Sequence, residues 1–120
     1  MNRLFVPLKY EAFSWFESGK KKWELRGINR NFNIKTVIIG RKVELSKGYS
    51  KKRISGRITE RTLFDNLEDI SKRMNFKEII PVAYDENEFL KICNSYLSKY
   101  ESFIAFKIEM DKRFLSIYSK

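Results

Sequence analysis

The sequence predicts an α+β domain: a small mixed β-barrel with helices packed outside it. Three observations carry this. The local patterns run in the order β-α-β-β-β-α-α-β. The strands are too short and too closely spaced for a doubly wound parallel sheet. One strand carries an internal glycine, Gly56, the kind of bulge or bend that lets a sheet close. A chain of 120 residues is one domain's worth. Its 42% hydrophobic and 15% aromatic content supplies a core, and only 5 Gly and 2 Pro argue against disorder.

Each element has its own signal. Leu4 to Lys9 reads as a first strand, with Pro7 pointing to a sheet edge or strand end. Tyr10 to Ser18 reads as a short helix, because Ala12, Phe13 and Phe16 form an apolar stripe and Gly19 supplies the stop. Trp23 to Arg26 is a brief extended segment, followed by a polar, Asn-rich loop from Ile28 to Lys35. Thr36 to Leu45 is expected to be a strand, since Val37, Ile39, Val43 and Leu45 share one parity with Arg41 between them. Ser46 to Lys52 is expected to be a basic loop around Gly48, and Arg53 to Phe64 a further strand with Ile54, Gly56 and Ile58 on one face. Leu67, Ile70 and Met74 predict a helix with Asp65 or Asn66 as its cap. Phe76 to Ala83 is irregular, interrupted by Pro81.

The clearest helix starts at Asp85, with Glu88 at capping-box spacing. Its stripe is Phe89, Ile92, Cys93, Tyr96, Leu97 and Tyr100, which marks Cys93 as inert core. Phe103 to Asp111 alternates, predicting Ile104, Phe106, Ile108 and Met110 inward and Ala105, Lys107, Glu109 and Asp111 outward. Residues 112–120 are a further strand over Arg113 to Tyr118 or an ordered tail, within one domain spanning 1–120.

Composition narrows the chemistry. The chain has no His and a single Cys. Catalytic triads built on His, imidazole metal sites, Cys-rich zinc sites and internal disulfides are therefore excluded. No motif calls for a metal or another cofactor. No apolar run approaches the roughly 18 residues of a membrane span, and the start lacks an apolar segment of signal-peptide length. The expected setting is a soluble protein in a reducing cytoplasm.

The charge is lopsided. Residues 1–60 hold 15 Lys and Arg against 5 acids, whereas residues 61–120 hold 10 of each, so the whole +10 lies in the first half. Two clusters dominate it: Lys20-Lys21-Lys22 with Arg26, and Lys47 with Lys51-Lys52-Arg53. Brought together by the fold, they would make a positive face suited to nucleic acid. The bland alternative is a solvated, solubilising surface.

The most distinctive stretch is Gly19-Lys20-Lys21-Lys22-Trp23-Glu24-Leu25-Arg26, at a helix-to-strand junction. In a strand, Lys22, Glu24 and Arg26 point one way and Trp23 and Leu25 the other. Arg forks onto phosphate or guanine, Lys acts as a point charge, and Glu accepts from an exocyclic amine. Local ion pairing around Glu24 is the competing explanation. Tyr49, in the basic loop, is the better candidate for stacking a base, while the parity of Trp23 favours core packing; Trp15 lines a cleft or fills the core. Arg41 is a cleft residue or the partner of a carboxylate.

The spacing Gly19-x-Lys21-x-x-Glu24-x-Arg26 resembles the G-x-K-x-x-E-x-R signature of ASCH domains, members of the PUA-like superfamily. Val43-Glu44-Leu45, Ser55-Gly56-Arg57-Ile58 and Ile79-Ile80-Pro81-Val82-Ala83 leading into the Asp85 helix resemble later parts of that family, so the likeness spans roughly 3–111. The resemblance implies a PUA-like barrel with a cleft beside the first helix, lined by the motif, and an association with RNA or modified bases. Some ASCH proteins are amidohydrolases of N4-acylated cytidine, and a ribonuclease activity is reported. In the amidohydrolase branch the motif Lys acts with a Thr three residues later and a distal Glu. Lys21 is kept here, but Glu24 stands where that branch has Thr, and the distal Glu is Glu60 or Glu68 by order only.

Three function classes follow. The first is an RNA- or nucleotide-binding module using Lys21, Lys22, Glu24 and Arg26, with Arg41, Lys47, Tyr49, Lys51, Lys52 and Arg53 as a phosphate-contacting rim. The second is a hydrolase of a nucleoside or RNA with Lys21 and Glu24 as catalytic residues, since a desolvated Lys can serve as base or nucleophile. The third is a regulator that offers its basic face to an acidic protein. Oligomeric state is not encoded in any pattern here.

Overall fold

The structure, a computed structural model, describes residues 2–111. Five strands form one mixed sheet: β1 (Leu4–Leu8), β2 (Trp23–Gly27), β3 (Lys42–Lys47), β4 (Arg53–Phe64) and β5 (Phe103–Met110). Three helices flank it: α1 (Tyr10–Glu17), α2 (Glu68–Arg73) and α3 (Glu86–Leu97), with a 3-10 turn at Phe76–Glu78. The element order is the expected one, and the architecture is an α+β half-barrel of the PUA-like kind. The sheet order is β1-β3-β4-β5-β2, with β1 parallel to β3 and every other pair antiparallel. Because β1 is an edge strand, Pro7 is tolerated there without loss of a central ladder bond.

Two cores sit on opposite faces of the sheet. Inside the half-barrel, Leu4, Val6 and Leu8 of β1 pack with Phe13 and Phe16 of α1 and with Val43, Leu45, Ile58 and Phe106. On the outer face, Ile70, Phe89, Cys93 and Leu97 pack from the helices onto Leu25, Phe103 and Ala105. Hence β5 is covered on both sides. Ala105 is fully buried rather than outward, because helices roof the face that strict alternation assigns to solvent.

Four other expectations change. Thr36 to Arg41 is turn, not strand; Gly40 takes φ +93° and donates to the Ile58 carbonyl at 2.7 Å, so the ladder starts only at Lys42. Ile39 consequently lies 59% exposed while Val37 is buried. The basic segment is partly strand, since β3 runs through Lys47 and the turn proper is Gly48 to Lys51. The bulge in β4 falls between Ile58 and Glu60 rather than at Gly56. Gly56 is needed for close approach instead, because a Cβ there would lie 2.8 Å from the Glu109 carbonyl oxygen. Finally, α2 is capped by Leu67 without a side-chain bond, although Asn66 Oδ1 does accept from the Asp69 N–H at 3.0 Å. The further strand expected over Arg113 to Tyr118 lies outside the described residues.

The capping of α3 is as expected: Asp85 Oδ1 accepts from the Glu88 N–H at 2.9 Å, and Glu88 Oε1 from the Tyr84 N–H at 2.8 Å. This fixes the register of the helix, and with it the face that Tyr96 turns towards the cleft beside β2.

Candidate functional site

The motif is a tight reversal from helix to strand. Helix α1 ends as Gly19, at φ +80°, donates to the Phe16 carbonyl, while the N–H groups of Lys20 and Lys21 both reach Trp15 O at 2.9 and 3.0 Å. Lys22 N–H then bonds Glu78 O at 2.8 Å, and β2 begins one residue later. The reversal drops the Lys21 side chain inward under α1, where Nζ lies 5.4 Å from the Phe16 ring centroid.

There Lys21 meets Glu24 and Arg26. Lys21 Nζ is 3.4 Å from Glu24 Oε1, and Arg26 Nε donates to Glu24 Oε2 at 2.6 Å. Lys21 also donates to the Ile79 carbonyl, and Arg26 Nη2 to the Pro7 carbonyl at 2.6 Å. Phe32 stacks on the guanidinium at 4.5 Å and is itself stacked on Phe106 at 6.1 Å. The Asn-rich loop places Phe32: Asn29 Oδ1 accepts from the N–H groups of Asn31 and Phe32. Among the described residues, no buried side-chain polar atom lacks a partner. The triad is therefore preorganised without a ligand.

Electrostatics follow from burial. Burial lowers the Lys21 pKa, opposed in part by the Glu24 carboxylate. Burial alone would raise Glu24, but the Arg26 and Lys21 charges and their hydrogen bonds outweigh it and hold the carboxyl below its usual range. Glu24 is thus an ionised acceptor flanked by two cations. Behind them, burial pushes the Cys93 thiol up to about 12 and raises the Tyr96 hydroxyl. Cys93 is accordingly a protonated core thiol, not a nucleophile.

The triad floors a cleft of about 430 Å³ between α1, β2 and α3. Trp15, Phe32, Tyr96 and Tyr100 supply aromatic walls, and Pro7, Lys9 and Glu11 line one side. Gly27 is what lets Tyr100 lie against β2, since a Cβ there would sit 2.0 Å from Tyr100 Cγ. Trp15 lines the cleft, while Trp23 packs against the outer core.

The remaining sequence candidates lie elsewhere. Lys22 precedes the strand and pairs with Glu78 at 3.6 Å, outside the cleft, so the face shared by Lys22, Glu24 and Arg26 does not form; Lys21 takes the inward place instead. Arg41 donates to the carbonyls of Asn2 and Thr36 at 3.0 and 2.6 Å, bracing the 36–41 turn. Lys47, Tyr49, Lys51, Lys52 and Arg53 gather around the β3–β4 turn, alongside α1; Lys52 pairs with Glu17 at 3.0 Å and Arg53 with Glu44 at 3.0 Å. Neither distal Glu lines the cleft. Glu60 pairs with Lys107 at 3.3 Å in a shallower depression of about 500 Å³, and Glu68 is exposed at the start of α2. The carboxylates in the cleft are Glu24 and Glu11. Phe32 carries no sequence signal, because its segment has no periodicity, and the helical stripe marks Tyr96 and Tyr100 as core, whereas in the structure they are cleft walls.

No family model matches the chain, and no curated protein matches it. Solved structures do. The hypothetical protein PH0355 superposes with a TM-score of 0.75 at 16% identity, over 92% of this chain and 100% of that one. Protein PF0455 from Pyrococcus furiosus gives 0.68 at 15% identity, covering 92% and 99%. The ASCH protein of Zymomonas mobilis gives 0.60 at 16% identity, covering 94% and 76%. The fold is that of ASCH domains. The resemblance read from the motif is thus matched by the tertiary structure. In this chain the cleft lies beside α1, with Lys21, Glu24 and Arg26 at its floor. Among the described residues no helix is long and apolar enough to cross a membrane, and no group of carboxylates and thiol is arranged to hold a metal.

Proposed function

We propose that the protein binds RNA or nucleotides and that the cleft takes one nucleoside unit. The observation that carries this is the convergence of Lys21, Glu24 and Arg26 at the floor of an aromatic-walled cleft of about 430 Å³. That volume lies towards the small end of the roughly 300–1,000 Å³ typical of small-ligand pockets. It suits a single unstacked base better than a groove for a duplex. Trp15, Tyr96 and Tyr100 offer ring faces, Glu24 an ionised acceptor for an amine or imide N–H, and Lys21 with Arg26 donors for base oxygens or phosphate. Calorimetric titration with the four ribonucleoside 5′-monophosphates and with short single-stranded RNA tests this. At least one mononucleotide should bind, and Arg26→Ala should weaken it at least tenfold. Failure of every nucleotide and RNA to bind would refute the proposal.

A second proposal, a hydrolase of a modified nucleoside or RNA, is favoured by one observation: Lys21 is buried with a lowered pKa beside a carboxylate, as a general base or nucleophile requires. Against it stands Glu24, where the amidohydrolase branch uses a Thr. Incubation with N4-acetylcytidine and with single-stranded RNA, followed by chromatography, decides it. Turnover that Lys21→Ala abolishes while binding persists would establish the hydrolase.

A further inference from the structure

Three large aromatic side chains stand in water at one corner of the fold. Tyr49 is 86% exposed, Tyr10 63% and Phe5 40%. Single exposed aromatics are ordinary, but a contiguous group is not. The three are joined. The Phe5 and Tyr49 rings lie 6.3 Å apart, and Gly48, next to Tyr49, lies against Tyr10, whose ring would be 3.6 Å from a Cβ placed there. Cations interleave with them: Lys47 Nζ is 4.8 Å from the Tyr10 ring centroid and the Arg53 guanidinium 5.4 Å from that of Phe5. The corner also adjoins the cleft. Tyr10 sits between Lys9 and Glu11, which both line it, and Pro7 lines it two residues beyond Phe5 on the same face of β1.

None of these contacts is needed to close the core, since Val6, Leu8 and Phe13 already fill the interior beneath. Exposed ring faces interleaved with cations, laid out beside a cleft for one nucleoside, match the repeating chemistry of a single strand: flat bases alternating with phosphates. A duplex hides its base faces, and an acidic protein surface, which could use the rings, does not by its nature repeat flat faces and negative charges in alternation as a single strand does.

Building on the nucleotide-binding proposal for the cleft, we infer that this corner is a stacking track for single-stranded nucleic acid leading from the cleft mouth. Tyr10 and Tyr49 stack bases adjoining the one held in the cleft. Phe5 supports Tyr49 from beneath, and Lys47 and Arg53 meet the intervening phosphates. The ligand is therefore a strand of several nucleotides, and the cleft reads one position within it.

The experiment measures affinity for mononucleotides and for fluorescein-labelled single-stranded RNA and DNA hexamers of the same base, by anisotropy and competition. Wild type should bind the hexamer more tightly than the mononucleotide. Tyr49→Ala and Tyr10→Ala should each cut that gain about tenfold, as expected for loss of one base–ring stack. Tyr49→Phe and Tyr10→Phe should retain it. Both side chains are exposed, and circular dichroism checks the fold of each variant. Loss in both hexamers identifies stacking shared by RNA and DNA; loss in RNA alone identifies an RNA track. A hexamer gain that both alanine variants leave intact, while Arg26→Ala removes mononucleotide binding, overturns the track and leaves the cleft proposal standing. Equal binding of a duplex, or equal competition by poly-glutamate, also overturns the track. Absence of binding to any nucleotide or strand overturns both.

Discussion

Glu24→Gln tests the physical core of the site. The substitution keeps the shape and removes the one negative charge between Lys21 and Arg26, which lie 3.4 and 2.6 Å from its oxygens. Breaking a buried ion pair from one side costs about 3–5 kcal/mol, because the partner charge stays buried. Lys21, only 5% exposed at the cleft floor, keeps its ammonium largely out of water, whereas the Arg26 side chain is 23% exposed and can turn outward. The loss should fall at the lower end, about 3 kcal/mol, since the Arg26 share is discounted for solvent screening. At about 4 °C per kcal/mol for a domain of this size, Tm should drop by about 12 °C at pH 7. Thermal unfolding followed by circular dichroism measures it. The companion Lys21→Met/Glu24→Gln removes the stranded ammonium and should recover at least about 1 kcal/mol relative to Glu24→Gln. A Tm within about 2 °C of wild type for Glu24→Gln, or a double variant no more stable than it, would refute a buried, coupled triad.

Three further outcomes follow from the same geometry. Gly27→Ala places a Cβ 2.0 Å from Tyr100 Cγ, so the ring must move into the cleft; destabilisation by about 1–3 kcal/mol in urea titration is expected, together with weaker nucleotide binding than wild type. On the pH axis, the carboxyl of Glu24 is lowered from 4.5, so its contribution is complete above that value and is lost as pH falls through the lower folded pKa. Lys21 is lowered from 10.5, so the folded state releases its proton first and stability should rise with pH between the folded pKa and 10.5; Cys93 and Tyr96, both raised, oppose this. Their effect is common to wild type and Lys21→Met, so the difference between the two urea-unfolding curves over pH 7–10 should isolate the Lys21 rise, and a flat difference would contradict it. For binding to a single strand, neutralising about five phosphates predicts roughly a hundredfold weakening between about 50 and 200 mM salt; an affinity indifferent to salt would exclude a polyanion partner.

Much of the fold is legible in the sequence because its signals are local. The 12-residue helix α3 announces itself through the Asp85–Glu88 spacing and a stripe from Phe89 to Leu97, and β4 keeps the predicted bounds Arg53–Phe64. Pattern fails where non-local contacts decide. Val37 and Ile39 alternate like a strand, yet Gly40 turns the chain and its N–H is taken by Ile58, 18 residues on. Ala105 sits at an outward position, yet α3 covers it.

The candidate site divides in the same way. Sequence alone determined the charge asymmetry, the absence of imidazole chemistry and the motif that sets Lys21, Glu24 and Arg26 apart, because these are matters of residue type and spacing. Only the tertiary structure decided which of the three consecutive lysines turns inward, that Phe32 backs Arg26, and that Tyr96 and Tyr100 are cleft walls. It also separated the basic loop from the cleft floor and gathered it with Phe5 and Tyr10 into a surface of its own. The physical reason is common to all of these. A side chain's desolvation and its partners depend on what other segments bring against it, and β2 meets β5, α1 and α3 across separations that no local pattern spans.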